Sequence, residues 1–433
     1  RAGVIMLQVI EGELARIEVA GNRWFRDGYI RRRLALDITP PLHLGTLQQR
    51  LQRLQQDSRI ERLQAELRPG VRRGESVLHV RVEETLPFQV VLEFNNYRAP
   101  SVGAERGLVT AAHQNLTGHG DILSVTYGIT RDLDLQIDAG YTLPLSARDT
   151  TVNLRYRRDE TNVVEEGFAS LDIDTTSEVY SITLRHPFYR TLRQEFAMAF
   201  NVERLRSETL FRADDFPGPL FVDEAIDTAL RVSQAWTERT QNQVVAARSR
   251  FSLGLDALGA TIRANSDLPD GRFFAWLGQF QWVRRLGARD LQLLVRLDVQ
   301  LTTEPLFPLE QISVGGRFSV RGYRENQLVR DNGLIVSLES RLPLLRNRPW
   351  ADIVQVAAFV DFGRGWNRKV ETPNPTTLVS IGLGLRWALT WDAPVPWRTQ
   401  LEVFWGYPLK EVDTPGGDLQ DLGLHLQLVM ATL

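Results

Sequence analysis

Leu291-Gln292-Leu293-Leu294-Val295-Arg296-Leu297-Asp298-Val299-Gln300-Leu301 is the stretch on which the fold turns. Every odd position is aliphatic, and the even positions include Gln292, Arg296, Asp298 and Gln300. A period of two is the signature of a strand with one apolar and one polar face. The same alternation returns in Val379, Ile381, Leu383, Leu385 and Trp387 against Ser380, Gly382, Gly384 and Arg386. It returns again in Leu401, Val403, Trp405 and Tyr407. From residue 86 onward the chain reads as sixteen such segments of roughly 10–14 residues. They begin near Phe88, Arg106, Gly120, Asp134, Asp149, Ser177, Gln194, Asp223, Gln243, Arg272, Asp290, Gly333, Asp352, Leu378, Arg398 and Leu422.

A soluble sandwich also alternates, so periodicity alone does not decide. Three features separate the alternatives. The segments are long, whereas strands of globular proteins usually run about 5–6 residues. Their polar faces mix Arg, Glu and Gly as a water-filled lumen would. Their connections alternate in length: short at Gly118-His119, Ser146-Ala147, Gln241-Asn242 and Leu286 to Arg289, and long at Glu160 to Thr176, Leu210 to Val222, Leu258 to Gly271 and Glu304 to Asn332. Short turns at one end and long loops at the other is the pattern of an outer-membrane barrel. The strands must close, because lipid cannot satisfy an open sheet edge. An even count returns both barrel ends to the short-turn side, the periplasm, and sixteen strands enclose a lumen wide enough for an aqueous path.

The composition agrees. The chain has 433 residues, Lys+Arg 51 against Asp+Glu 53, a formal net charge of −2 and no cysteine. Near-neutrality argues against nucleic acid as a partner. The lack of cysteine excludes a disulfide scaffold, a thiolate metal site and a thiol nucleophile. No apolar run reaches the roughly 18 residues of a spanning helix, and the negative mean hydropathy is compatible with barrel strands.

Residues 11–85 differ. Ala15 to Ala20 alternates, Asp27 to Leu36 reads as a helix capped by Asp27, and Gly45 to Gln56 is a second helix with Leu47, Leu51 and Leu54 on one stripe. Leu63 to Leu67 and Leu78 to Val82 alternate again. Strand, helix, helix, strand, strand makes one small α+β layer domain. Residues 1–10, with Val4 to Glu11 strand-like, read as the last strand of a preceding module. The start Arg1-Ala2-Gly3 reads as a cut from a longer precursor.

With these elements in place, the chain resembles the two-partner secretion outer-membrane transporters (TpsB type), within the superfamily of barrels that carry periplasmic POTRA domains. Residues 11–85 are similar to a POTRA module. Phe94-Asn95-Asn96-Tyr97 through Gly107 resembles the family's first hairpin, and Asn115-Leu116-Thr117-Gly118-His119-Gly120-Asp121 its first periplasmic turn. Tyr141-Thr142-Leu143-Pro144-Leu145 and His186-Pro187-Phe188-Tyr189-Arg190 match family strand ends. The most specific likeness is Gly315-Gly316 through Val320-Arg321-Gly322-Tyr323, which resembles the superfamily's VRG[FY] loop motif between the eleventh and twelfth strands. Ala358-Phe359-Val360-Asp361-Phe362-Gly363 on the thirteenth is similar to the companion F-x-D motif. The last residues, Met430-Ala431-Thr432-Leu433, depart from the aromatic ending common in the family.

The resemblance implies that the loop of residues 305–332 folds into the lumen and that Arg321 pairs with Asp361, flanked by Phe359 and Gly363. If the thirteenth strand puts Phe359 and Asp361 on one face, that face is the lumen, since a carboxylate toward lipid is unfavourable. An Arg–carboxylate pair is bidentate and geometrically selective. It suits an anchor and not a reaction. The ordinary alternative is a solvated loop arginine.

Arg296, Asp298, Glu339 and Arg386 are expected to line the lumen with charges of both signs, on which a peptide slides without sticking. In the small domain, Arg62, Leu63, Ala65 and Leu67 form the candidate edge on which an extended client adds a strand. The six histidines show no ligand spacing, Asp214-Asp215 reads as a solvated loop tip, and no catalytic or nucleotide motif is present, so no cofactor or metal is expected.

The expected function is export of a secreted partner exoprotein from periplasm to cell surface without nucleotide hydrolysis. The partners are that extended client, outer-membrane lipid and the barrel-assembly machinery, with a monomeric barrel. The alternative is an assembly insertase of the same superfamily, opening a seam that pairs Phe88 to Leu92 with Leu422 to Gln427. A passive porin is disfavoured by the small domain, and an enzymatic passenger would lie upstream.

Overall fold

The computed structural model describes residues 10–130, 134–165, 173–211, 221–263, 267–287 and 289–432. The remnant strand at residues 1–10 lies outside these, Ile10 excepted, as do Asp214-Asp215 and Leu433.

The small domain holds β1 (Glu13–Ala20), α1 (Asp27–Leu34), α2 (Leu44–Gln55), β2 (Ile60–Pro69) and β3 (Glu75–Glu84), in the order the pattern predicts. Its sheet runs β1-β3-β2, with β1 parallel and β2 antiparallel to the central strand. Both helices cover one face. Tyr29, Ile30, Leu34, Leu47 and Leu54 are buried against Leu78, Val80 and Val82, with Leu51 half-buried beside them. One expectation fails. Asp27 is the first helical residue and not the cap, a position that falls to Arg26 without a side-chain bond. The Asp27 carboxylate instead accepts from Asn22 Nδ2 at 2.8 Å, and Asn22 also closes the turn on the Phe25 carbonyl at 2.7 Å.

The rest is a closed antiparallel barrel of sixteen strands. They are β4 (Phe88–Asn95), β5 (Arg106–His113), β6 (Ile122–Thr130), β7 (Leu135–Pro144), β8 (Thr151–Asn162), β9 (Ile173–Arg190), β10 (Gln194–Phe211), β11 (Phe221–Arg239), β12 (Gln243–Gly254), β13 (Phe274–Leu286), β14 (Leu291–Thr302), β17 (Asn332–Arg348), β18 (Ala351–Trp366), β19 (Thr377–Trp391), β20 (Trp397–Pro408) and β21 (Leu424–Thr432). The loop after β14 adds a two-stranded hairpin, β15 (Ile312–Val314) and β16 (Leu328–Arg330). The outward face is apolar: Ile381, Leu383, Leu385, Trp405 and Tyr407 are exposed, while the alternating Ser380 and Phe404 are buried inside. An exposed aliphatic band of this extent is tenable only against hydrocarbon.

Strands β9, β10 and β11 run 18, 18 and 19 residues, longer than the alternation suggests. Much of their extra length is polar on both faces, with Thr175, Thr176 and Ser177 opposite Thr209, Glu208 and Ser207. Ladder bonds hold a hairpin beyond the bilayer, where no hydrophobic period marks it.

The small domain sits at the short-turn end. Arg59 donates to the carbonyls of Gln114 at 3.0 Å and Gly120 at 2.7 Å, and Gly118 O accepts from Arg26 N at 3.0 Å. Gly118 and Gly120 have φ of 82° and 76°. A Cβ on Gly120 would lie 2.6 Å from the Tyr29 ring, so a side chain here would push the domain off. Trp24 packs edge-on against Phe88 and His113.

Candidate functional site

The loop between β14 and β17 folds into the barrel. Its hairpin buries Ile312, Val314 and Leu328, and its tip buries Val320 and Tyr323, against Ile335 and Leu378 of the wall. The tip turns on Gly315, Gly316 and Gly322, with φ of 115°, 99° and 88°. The wall makes room by omitting side chains. A Cβ on Gly363 would come within 2.3 Å of Val314, and one on Gly322 within 2.7 Å of the Gly406 backbone. The glycines on the polar faces of β18 and β20 are therefore the seat of the loop.

Arg321 occupies the centre of the contact. Its Nε and Nη2 donate to the two Asp361 oxygens at 2.8 and 2.9 Å, and its backbone N–H donates to Asp361 Oδ2 at 3.1 Å. Nη1 donates to Glu339, which also takes Arg341. Ser337 Oγ bridges, donating to Asp361 at 2.6 Å and accepting from Arg321 Nη2 at 3.2 Å. The guanidinium lies 3.5 Å from the Phe359 ring centre, a cation–π stack. Arg321 is 2 % exposed and Asp361 0 %. Nearby, Arg317 pairs with Glu402 at 2.7 Å and lies 4.0 Å from the Phe404 ring centre. The Tyr323 hydroxyl sits between the carbonyls of Val379 at 2.9 Å and Lys410 at 2.8 Å, and can donate to one of them at a time.

The same tip also reaches the seam, three strands further along the wall. Arg324 takes Asp421 bidentately at 2.5 and 2.9 Å and Glu165 at 2.5 Å. Glu325 N–H donates to Gln420 Oε1 at 2.7 Å, and the Gln420 amide donates onward to the carbonyls of Asn96 at 2.6 Å and Arg98 at 2.7 Å. Gly322 N–H points to His425 Nε2 at 3.3 Å. Gln420, Asp421 and His425 flank the seam where β21 meets β4.

The seam differs from its expected register. Val91 faces Ala431 and Asn95 faces Gln427, a five-residue pairing, in place of Phe88 to Leu92 against Leu422 to Gln427. The turn at Gly423 delays the start of β21 to Leu424. Side chains then extend the ladder at both ends. Asn96 Nδ2 donates to Leu424 O at 2.9 Å, Asn96 Oδ1 accepts from Leu426 N at 2.8 Å, and Thr432 Oγ1 accepts from Val90 N at 3.0 Å.

Arg296, Asp298, Glu339 and Arg386, expected as a free lining, are each paired. Asp298 holds Arg296 at 2.6 Å, and Arg296 also donates to the Phe318 carbonyl of the loop. Arg386 is tied to Glu402 at 2.5 Å, and Glu339 belongs to the anchor itself. Charges in a narrowing lumen find partners, because an unpaired one is costly. Arg62, Leu63, Ala65 and Leu67 lie on β2, an edge strand with one row of backbone groups unpaired in the sheet. The roles of Gln420, His425 and Glu402 escaped the sequence reading, as did the seam contact of Asn96. The Asn95-Asn96 pair was visible, since consecutive asparagines at a strand end imply side-chain bonding to backbone. Among the described residues no group of His, Asp or Glu has metal-binding geometry.

The family profile of haemolysin secretion/activation protein ShlB/FhaC/HecB matches residues 74–387, most of the barrel and the last strand of the small domain. The chain belongs to this family. Its members are two-partner secretion transporters, and the closed barrel places the chain in the outer membrane. The outer membrane transporter CdiB of Dickeya dadantii (strain 3937) is 22 % identical over 90 % of this chain and 69 % of its own length. The haemolysin transporter protein ShlB of Serratia marcescens is 24 % identical over 97 % of this chain and 73 % of its own. Among solved structures, CdiB from Escherichia coli shares the fold with a TM-score of 0.78 at 21 % identity, over 98 % of this chain and 77 % of that one. BamA from Haemophilus ducreyi lacking POTRA domains 1-3 shares it with a TM-score of 0.64 at 13 % identity, over 97 % of this chain and 84 % of that one.

Proposed function

We propose that this ShlB-type transporter exports an extended partner exoprotein, with the small domain in the periplasm as the receiving end and the barrel lumen as the path. The observation that carries the reading is the loop seated inside the lumen by the buried Arg321–Asp361–Glu339 cluster. Breaking a buried pair is expensive while re-forming it is specific, so the anchor works as a latch with one resting position. A client in transit displaces the loop tip, and the latch returns it. The β2 edge, with Arg62, Leu63, Ala65 and Leu67, offers backbone bonds to a strand of the client, so affinity requires little sequence. No nucleotide is needed if the client folds once outside. The barrel inserts as a monomer in outer-membrane lipid with help from the barrel-assembly machinery.

The five-residue seam is the one observation that favours the insertase alternative. The two readings separate in cells that co-express the chain with its partner exoprotein. Removing residues 11–85 is expected to abolish surface display of the exoprotein while the barrel still shifts in gel mobility on heating. Normal display from that deletion would end the capture role.

A further inference from the structure

A cleft of about 380 Å³ opens between the helices of the small domain and the short-turn end of β7, β8 and β9. Six arginines and two aspartates line it. At its centre three guanidinium groups share one carboxylate: Asp149 takes Arg190 at 2.6 Å, Arg33 at 2.8 Å and Arg53 at 3.4 Å. Arg185 and Arg190 also share Glu195. Of the remaining lining arginines, Arg59 is matched by Asp57, and Arg50 shares Asp37, outside the cleft, with Arg148. The centre therefore has four cations and two anions.

Docking the small domain does not require this excess. One bidentate pair fixes position, and further cations around the same carboxylate repel one another. Burial lowers the Arg53 pKa first, and Arg190 and Arg50 lower it further. Arg53 forms one long hydrogen bond, leaving most of its five donors to solvent in the cleft. A further anion would relieve this crowding.

The position narrows the choice of anion. Arg185 alternates with the exposed Leu184, so it faces into the barrel and the cleft opens at the lumen mouth, away from lipid. Leu36, Leu54 and Pro144 give the same cleft apolar wall, suited to the methylene stems of side chains. We propose that this cleft binds the carboxylate side chains of an acidic, extended polypeptide segment as it enters the barrel. The inference rests on the export reading and names the chemistry of the segment that is exported.

The test is fluorescence anisotropy of a labelled oligoglutamate on the detergent-solubilised chain, with oligoglutamine as control. Oligoglutamate is expected to bind and oligoglutamine not to, with affinity falling as salt rises. Arg53→Gln should weaken binding roughly tenfold, and Arg53→Lys should retain most of it. The gel shift on heating verifies that each variant keeps its barrel. Equal binding of both peptides, or unchanged affinity in Arg53→Gln, overturns the proposal. Complete displacement of the peptide by inorganic phosphate at equal charge concentration reassigns the cleft to small anions and overturns it too. Failure of the peptide to bind while the unmodified chain still exports its exoprotein sinks this inference alone. Absence of export from the unmodified chain sinks the parent reading.

Discussion

The loop tip grips two parts of the barrel that are built differently. On one side stand β17 and β18, paired from Asn332↔Trp366 to Arg348↔Ala351, with Arg321 closed off from water between Asp361 and Glu339. On the other side, the seam pairs only Val91–Asn95 with Gln427–Ala431 and relies on the side chains of Asn96, Gln420 and Thr432 to lengthen it. A long ladder tolerates a buried ionic anchor because the wall does not move. The short ladder itself is lengthened by neutral hydrogen bonds of about 1 kcal/mol net each, and the tip's ionic grip beside it, Arg324 on Asp421 and Glu165, is less buried than Arg321 on Asp361. The lesson is that the loop has a fixed foot and a yielding one.

The largest expected effect follows from breaking the fixed foot. Arg321→Ala leaves Asp361 buried without a cation and Glu339 with Arg341 alone, which costs about 3–5 kcal/mol. The midpoint of the heat-induced gel shift should fall accordingly. Replacing Arg321 by Met and Asp361 by Leu together should cost less than the two single changes summed, because they interact directly. Strict additivity would mean that the pair is not coupled.

Gln420→Ala should cost less, about 1–3 kcal/mol, by leaving the Asn96 and Arg98 carbonyls and the Glu325 N–H unsatisfied. Its signature is local: amide exchange should accelerate at Val91–Asn95 and not along β17 and β18. Uniform acceleration would erase the distinction between the two feet.

A smaller effect concerns the small domain, which holds the seam side through Arg59 and Trp24. Burial alone would raise the Asp57 carboxyl, but the Arg59 hydrogen bond and charge outweigh it and hold the group below its ordinary 3.8. A depressed acid stabilises above the ordinary value and loses that contribution as pH falls through the depressed one. Docking should therefore be constant at neutral pH and loosen only below about pH 4. The Trp24 emission, isolated by difference with Trp24→Phe, reports it. Loosening at neutral pH in the unmodified chain would contradict the assignment.

The smallest expected effect is none. Leu92 and Met430 face each other across the seam, so cysteines there can be joined. Locking the seam should leave export unchanged if the lumen is the path. Loss of export on oxidation would revive the insertase alternative.

The alternation of Leu291 to Leu301 and its repeats placed all sixteen strands, with starts at most a few residues away, because lipid on one side imposes strict period two. The motif at Gly315–Tyr323 led to Arg321 and Asp361, and these residues do meet. Glu339 was taken for lining and the seam register was missed. Both depend on which inward side chains the loop tip touches, a tertiary fact with no local period. Gly363 entered only as a flank of the wall motif, and Gly406 was hidden for the same reason, since a glycine on a polar face looks like any small lumen residue until the loop is seated on it.

The most direct measurement uses the cysteine-free background. A Cβ on Gly363 would lie 3.7 Å from Val314 Cβ, the spacing of a disulfide, and Val320→Ala added to this background removes the methyl group that would stand 2.7 Å from it. With Val314→Cys and Gly363→Cys, the account predicts that mild oxidation joins the loop to the wall in nearly every molecule, that surface display of the exoprotein stops, and that reductant restores it. Thiols that stay free under oxidant, or display that continues at full rate with the bond formed, would contradict it.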